Sequence, residues 1–246
     1  MLIIGFVTAF DFLQRHDPPA ARIKLMLVVL AGFLAARIIF ILHYLDAFEH
    51  DWFSALAFWQ GGFTIWAGFA GAALTLLWRL RQKARLLQGL GLLAACAAAW
   101  FIITAWAVPA PRAVYGLGQI SFLQPANPTE LRNIKGPLVI NLWATWCPPC
   151  RRELPMLAQV AAHSDTPILL VNEGETAEQV RAYLRKNHIP SSSVLLDIDS
   201  AMMRRNGSEA LPTTLFVDSQ GRIVRRHVGE ISRAVLAAGI DQMKGE

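Results

Sequence analysis

The sequence predicts a molecule in two parts, an α-helical transmembrane region of three to four helices and, after it, an α/β domain. Three observations carry that reading. Charge is unevenly divided: residues 1–108 hold 8 Lys/Arg and 5 Asp/Glu, whereas residues 109–246 hold 15 and 13. In a chain of 246 residues that is 54% hydrophobic, runs long enough to cross a bilayer all fall before residue 109. Beyond it, apolar runs shorten to strand length and alternate with amphipathic stretches. The boundaries follow as a membrane region over 1–108, a Pro/Gly-rich linker over 109–118 and the α/β domain over 119–246. The net charge of +5 forms no groove-like basic stripe, so no nucleic-acid partner is expected.

In the first part, LMLVVLAGFLAARIIFILHYL (25–45) and LLQGLGLLAACAAAWFIITAWAV (86–108) read as spans of 21 and 23 residues, enough for roughly 30 Å of hydrocarbon. Between them GGFTIWAGFAGAALTLLW (61–78) reads as a third helix opened by a glycine turn, with Gly68, Gly71, Ala72 and Thr75 at the spacing that lets helices approach closely. The opening MLIIGFVTAFDFL (1–13) lacks the basic start and small-residue cleavage site of a signal peptide and reads as a truncated first helix. Arg37 sits near the middle of the 25–45 span, where a charge needs a partner; Asp11, a lipid head group and the Gly61-Gly62 turn are the candidates.

Orientation follows from the basic residues. Arg79, Arg81, Lys83 and Arg85 form a loop without an acid, and Arg15, Arg22 and Lys24 mark another; both should be cytoplasmic. Asp46, Glu49 and Asp51 lie in a segment with no Lys or Arg and should face outward. This alternation predicts a multi-pass protein of a bacterial inner membrane, in contact with membrane lipids, with its C-terminal domain in the periplasm.

In the second part QISFL reads as an edge strand and PLVINLWA (137–144) as a buried central one. RRELPMLAQVAAH follows as a helix carrying Leu154, Leu157, Val160 and Ala161 at helical spacing, with Pro155 inside it as a source of a kink. PILLVNE is a second buried strand, and ETAEQVRAYLRKNH an amphipathic helix with Val180, Tyr183 and Leu184 on one face. SSVLLD, then PTTLFVD and RIVRRHVG joined by SQG, give a strand and a hairpin; ISRAVLAAGIDQM closes the domain as a helix. A dithiol at the first strand–helix junction of such an order is a thioredoxin-like plan.

That dithiol is Cys147-Pro148-Pro149-Cys150. Cys147 falls at a helix start, where unpaired amides and the dipole stabilise a thiolate, so it should attack while the less exposed Cys150 resolves. Pro148 and Pro149 suit a first helical turn, and Trp146 should shield the pair. A bridge closing so small a loop adds little as a staple. Zinc would need further ligands, and His163, His188 and His227 are scattered, so no metal and no cofactor is expected beyond the redox-active disulfide itself. Transient capture of Cu(I) by the reduced pair stays open. Cys96, alone in an apolar run, cannot carry a reversible dithiol across the bilayer, so electrons must come from another protein.

Two resemblances add to this. AGFLAARIIFILHYLDAF and FWQGGFTIWAGFAG resemble the prolipoprotein diacylglyceryl transferases over roughly 25–80, at that family's second helix with its arginine and the Gly-Gly motif after it. Trp66 stands where that family has a histidine, and the family's later helices are absent; the resemblance implies the local fold and an affinity for lipid. VINLWATWCPPCRRELP, VNEGE and LPTTLFVDSQGRIV resemble the TlpA-like (ResA-type) thioredoxins, membrane-tethered disulfide reductases, over about 116–243. This second resemblance implies that Pro212 is a cis-proline facing the dithiol and that the Leu211 backbone pairs with substrate. It makes 174–199 that family's helix–strand insertion, and Glu153 and Glu175 its two motif glutamates. Asn141 stands where thioredoxin keeps a buried Asp, so Glu153 or Glu175 would have to exchange the proton of Cys150. The implied clients are protein disulfides, including the CxxCH pairs of apocytochromes c, and the implied electron donor is a CcdA- or DsbD-like transmembrane reductant. An oxidase or isomerase of the same fold, and a lipid-binding or Cu(I)-handling membrane protein, are the alternatives.

Overall fold

The structure, a computed structural model, describes residues 25–49, 52–79, 83–107, 112–114, 120–123 and 136–244. The expected helix over 1–13 with Asp11, and the basic residues Arg15, Arg22, Lys24 and Arg81, lie outside the described residues. The chain divides into two compact units, Met1–Asp46 with Gly61–Pro109 and Ala47–Gln60 with Ala110–Glu246.

Among its described residues the first unit holds three long helices, α1 (Leu25–His43), α2 (Ile65–Arg79) and α3 (Lys83–Ala107). α1 and α2 meet along their small residues: a Cβ added to Gly32 would stand 2.9 Å from the Gly68 carbonyl oxygen, and one on Gly71 2.6 Å from Cβ of Ala35. Val28, Ala72 and Leu76 form a buried cluster onto which Leu86, Leu90, Leu93 and Cys96 of α3 pack. Leu30, Phe33, Ile38 and Leu42 point outward. Among the described residues one helix, Leu86–Trp106, is long and apolar enough to cross a membrane; Leu27–His43 and Ile65–Trp78 are shorter apolar helices. The span expected over 25–45 is helical from Leu25 to His43 and is followed by a turn at Tyr44.

The second unit is built on a seven-stranded sheet. Its strands are β1 (Arg112–Ala113), β2 (Ser121–Phe122), β3 (Leu138–Trp143), β4 (Ile168–Glu173), β5 (Val194–Asp197), β6 (Thr213–Val217) and β7 (Arg222–Val228), in the order β1-β7-β6-β3-β4-β5-β2. β3, β4 and β5 run parallel, and all other pairings are antiparallel. β3 and β4 are buried at every position, as their unbroken apolar runs demand of central parallel strands. Ile140, Leu142, Val171, Leu195 and Leu215 form the core on one face with Met202. β2 is the edge strand expected from QISFL. The opposite edge is β1, whose Arg112 and Ala113 pair with Ile223 and Arg222 from inside the stretch read as linker.

Among its described residues four α-helices pack with the sheet: α4 (Pro148–Ala161), α5 (Ala177–Lys186), the single-turn α6 (Ala201–Arg205) and α7 (Arg233–Lys244). α4 runs through Pro155 as one helix. Thr176 opens α5 with a capping box closed by Gln179. α7 lies so close to the sheet that a Cβ on Gly239 would stand 2.2 Å from the Phe216 ring. β3, β4 and β5 all end on the same side of the sheet, so the loops after Trp143, Glu173 and Asp197 gather there with the start of β6.

Candidate active site: a disulfide at a helix start

The loop after β3 delivers Cys147 as the N-cap of α4, in extended conformation at φ −87° and ψ 111°. Pro148 and Pro149 carry no N–H, so two of the amides that usually face a cap are missing. The amide of Cys150 takes up that role and donates to Sγ of Cys147 at 3.3 Å. The two cysteines are joined as a disulfide with their Cα atoms 5.3 Å apart. Both are buried, Cys147 at 2% and Cys150 at 0% exposure, so in this disulfide form the expected difference in accessibility is small. Trp146 stands outward at 68% exposure, presenting its ring at the surface beside the pair.

The Leu211–Pro212 peptide is cis. Thr213, which follows, pairs with Leu142 next to the end of β3, so chain topology brings Pro212 to the same sheet end as the dithiol loop. Leu211 is half-buried and packs on the core of the domain.

Glu153, one turn after Cys150, is buried at 3% exposure. Its Oε1 accepts from Nδ2 of Asn141 at 2.9 Å and its Oε2 from the amide of Ile231 at 2.7 Å. The same Asn141 nitrogen also donates to Oγ1 of Thr214 at 3.1 Å. Burial pushes the Glu153 carboxyl up to about 7, against the pull of those two donors and of the Arg152 charge. The asparagine that stands where a buried Asp was anticipated thus holds a second residue's carboxyl in the same neighbourhood.

Glu175 is held quite differently. Its Oε2 accepts from the amide of Thr145 and from Nδ2 of Asn172, both at 2.7 Å, and its Oε1 accepts from the Thr145 hydroxyl. Both oxygens are engaged in tying the loop that carries the dithiol to the loop after β4. Thr145, Asn172, Thr214 and the Glu230–Ile231 peptide are parts of this site that sequence reasoning missed. Asn172 was within reach of it, as the first residue of the NEGE stretch; the others are joined to the site by register alone.

A second buried acid pair lies at the same sheet end. Glu173 and Asp197 oppose each other in register on β4 and β5, each 3% exposed. Burial, and then the Asp197 charge, push the Glu173 carboxyl up to about 8. Met202 donates its amide to Oδ2 of Asp197 at 2.6 Å.

In the first unit, Nη1 of Arg37 donates to the carbonyls of Gly61 and Gly62 at 2.6 and 2.8 Å, and the guanidinium lies over the rings of Phe40 and Phe63. Among the described residues, the candidate partner found on Arg37 is the glycine turn. Trp66 stacks beside Phe101 with ring centroids 5.2 Å apart.

Two family models match the chain over overlapping ranges. The prolipoprotein diacylglyceryl transferase family model matches residues 1–136 and the AhpC/TSA family model residues 121–226. The thiol-disulfide oxidoreductase ResA of Bacillus subtilis is 31% identical over 111 residues, 44% of this chain and 62% of that protein. The thiol:disulfide interchange protein HelX of Rhodobacter capsulatus is 33% identical over 119 residues, 48% of this chain and 66% of that protein. The chain thus spans less than two thirds of the length of these relatives. Among solved structures, a thioredoxin-related protein from Neisseria meningitidis serogroup B aligns with 52% of this chain and all of its own, at 22% identity and a TM-score of 0.43. The chain therefore belongs through its first 136 residues to the prolipoprotein diacylglyceryl transferase family, and it carries, joined to that region, a thioredoxin-like α/β domain that the AhpC/TSA family model matches over residues 121–226.

Proposed function

We propose that this protein is a thiol–disulfide oxidoreductase of the bacterial plasma membrane, anchored by three to four helices, whose periplasmic domain reduces client disulfides through Cys147 and Cys150. The observation that carries the reading is a disulfide at a helix start with a buried carboxyl, poised near neutrality, one turn behind it. In the reduced enzyme the Cys147 thiolate attacks a client disulfide, forming a mixed disulfide and expelling one client thiolate. Glu153 takes the proton of the Cys150 thiol, and the Cys150 thiolate then attacks Sγ of Cys147. The second client sulfur leaves, both client thiolates take up protons, and the enzyme is left as the Cys147–Cys150 disulfide. Glu175 holds the attacking loop through Thr145, and the cis-proline side of the cleft, with Leu211, receives the client backbone. No cofactor beyond the disulfide is needed.

Two electrons must return to the disulfide from outside the chain, since Cys96 is the one cysteine of the membrane region. A transmembrane dithiol protein of the CcdA/DsbD kind supplies them. Cysteine pairs of apocytochromes c, oxidised before haem attachment, fit as clients. Lipid contacts the outward apolar side chains of α1 and α3.

The full chain in detergent should accelerate reduction of insulin by dithiothreitol. Cys147→Ser should abolish the acceleration, and a wild-type rate equal to the uncatalysed one would remove the proposal.

A further inference from the structure

A single peptide group joins two titratable side chains in the second unit. The carbonyl of Glu230 and Nε2 of His227 are 3.2 Å apart. A carbonyl can only accept, so Nε2 carries the proton and donates. The other half of the same peptide, the amide of Ile231, donates to Oε2 of Glu153 at 2.7 Å. Residue 230 is gripped from a third side, because Nε and Nη2 of Arg152 donate to its carboxylate at 2.9 and 2.6 Å. The peptide plane is thereby fixed between the imidazole and the buried carboxyl.

Sheet register supports the arrangement. His227 lies opposite Thr214, and Thr214 lies opposite Asn141. Directly opposed residues share a face, so the three form a row on the face where Asn141 and Glu153 meet. A donor on a peptide carbonyl draws electron density from its N–H and strengthens the bond that N–H gives, and a stronger bond to a carboxylate favours the charged form.

We propose that His227 is a positioning residue that sets the proton affinity of Glu153 through the Glu230–Ile231 peptide. What that affinity is used for rests on the reading of Glu153 as the proton carrier of Cys150; the coupling itself does not. The groups facing Glu153 are Arg152 on its own helix, the Glu230 carboxylate from the turn before α7, and the neutral Asn141 and Thr214 from the sheet. His227 faces the Glu230 carbonyl and feels the Arg225 charge, and burial holds its imidazole below the ordinary range. At neutral pH it therefore acts as a neutral donor, and on protonation it pulls harder on the same peptide.

The test is a carboxyl-carbon NMR titration of the full chain in detergent, labelled at Glu, with Glu153→Gln used to assign the Glu153 signal. His227→Phe removes the donor and should raise the Glu153 midpoint by about half a unit, the order expected when one charge-assisted hydrogen bond loses 10–30% of its strength. His227→Gln keeps an N–H near the same place and should leave the midpoint close to wild type. In wild type, with no substitution, the Ile231 amide resonance should show a second inflection at the midpoint of His227. A Glu153 midpoint unmoved by His227→Phe overturns the coupling; should that variant not fold, an Ile231 amide that follows Glu153 alone overturns it. If the coupling is found but the pH profile of disulfide reduction ignores Glu153, the coupling stands and the proton-carrier reading falls.

Discussion

A carboxyl cut off from water keeps its proton to a higher pH, and here two such groups stand near the dithiol. Glu153 is pushed up to about 7 and Glu173 to about 8, burial being the largest cause for both. The sign of the effect on stability is fixed by linkage. An ordinary carboxyl titrates near 4.5, so between that pH and the raised value the folded state binds more protons than the unfolded one. The stabilisation is complete at low pH and is lost as pH rises, through about 7 for Glu153 and about 8 for Glu173. Glu173→Gln should accordingly equal wild type near pH 4 in the protection of β4 amides from hydrogen exchange, and exceed it at pH 9, where wild type must hold a charge against Asp197. Protection that falls with pH equally in both proteins removes Glu173 as the source. At this scale the sequence revealed what short spacing encodes: the cysteines and the prolines between them. The partner of Glu173 is 24 positions away, and only the β4–β5 register makes them neighbours. The surroundings of Glu153 were hidden in the same way, being assembled from β3, β6 and the turn before α7.

Elements follow the sequence closely where they are long and apolar, and depart from it where a contact decides. β3 and β4 were legible because a central parallel strand needs an unbroken apolar run. β1 was not, since two residues at Arg112–Ala113 have no period, and their strand character comes wholly from pairing with β7. α2, with 15 residues, is the instructive case. Arg37 lies six residues before the end of α1 at His43, about 9 Å along the axis at 1.5 Å per residue. Because it holds the Gly61 and Gly62 carbonyls, the turn sits beside the body of α1. α2 then adds about 22 Å by the same rise, and turn and helix together come to the roughly 30 Å of a hydrocarbon core. Only glycine suits the turn: Gly61 and Gly62 have φ of 88° and 84°, and a Cβ on Gly62 would stand 2.6 Å from the Phe40 ring. Arg37→Leu strips two carbonyls of a charged donor, which should cost about 3–6 kcal/mol, each such bond being worth roughly 1.5–3. Proteolysis of full chain in lipid nanodiscs should then cut within 58–64 much faster than in wild type. Unchanged cutting would show that the turn is held without the arginine.

The two units differ in the solvent they need, so the orientation of the first decides where the second can work. A CPPC pair in the reducing cytosol would be held as a dithiol by the general thiol pool, whereas in an oxidising compartment its redox state depends on a dedicated donor. The sequence carries the orientation in a few charges: Arg79 at the end of α2, Arg81 after it, and Lys83 and Arg85 in the first turn of α3, against Asp46, Glu49 and Asp51 after α1. Short basic loops stay on the cytoplasmic side, and acids contribute little to the bias. On the proposed topology the junction of α2 and α3 is therefore the determinant, and α3, long enough by itself to cross, would carry the C-terminal domain to the far side. Alkaline phosphatase, which folds only where disulfides form, should be active when fused after Lys244 and inactive when fused after Arg79. Replacing the four basic residues of the junction by Gln should weaken the bias and reduce activity of the Lys244 fusion several-fold. An inactive Lys244 fusion, in a protein otherwise stable in the membrane, would put the dithiol in the cytosol and leave it without the client disulfides that the proposed reaction requires.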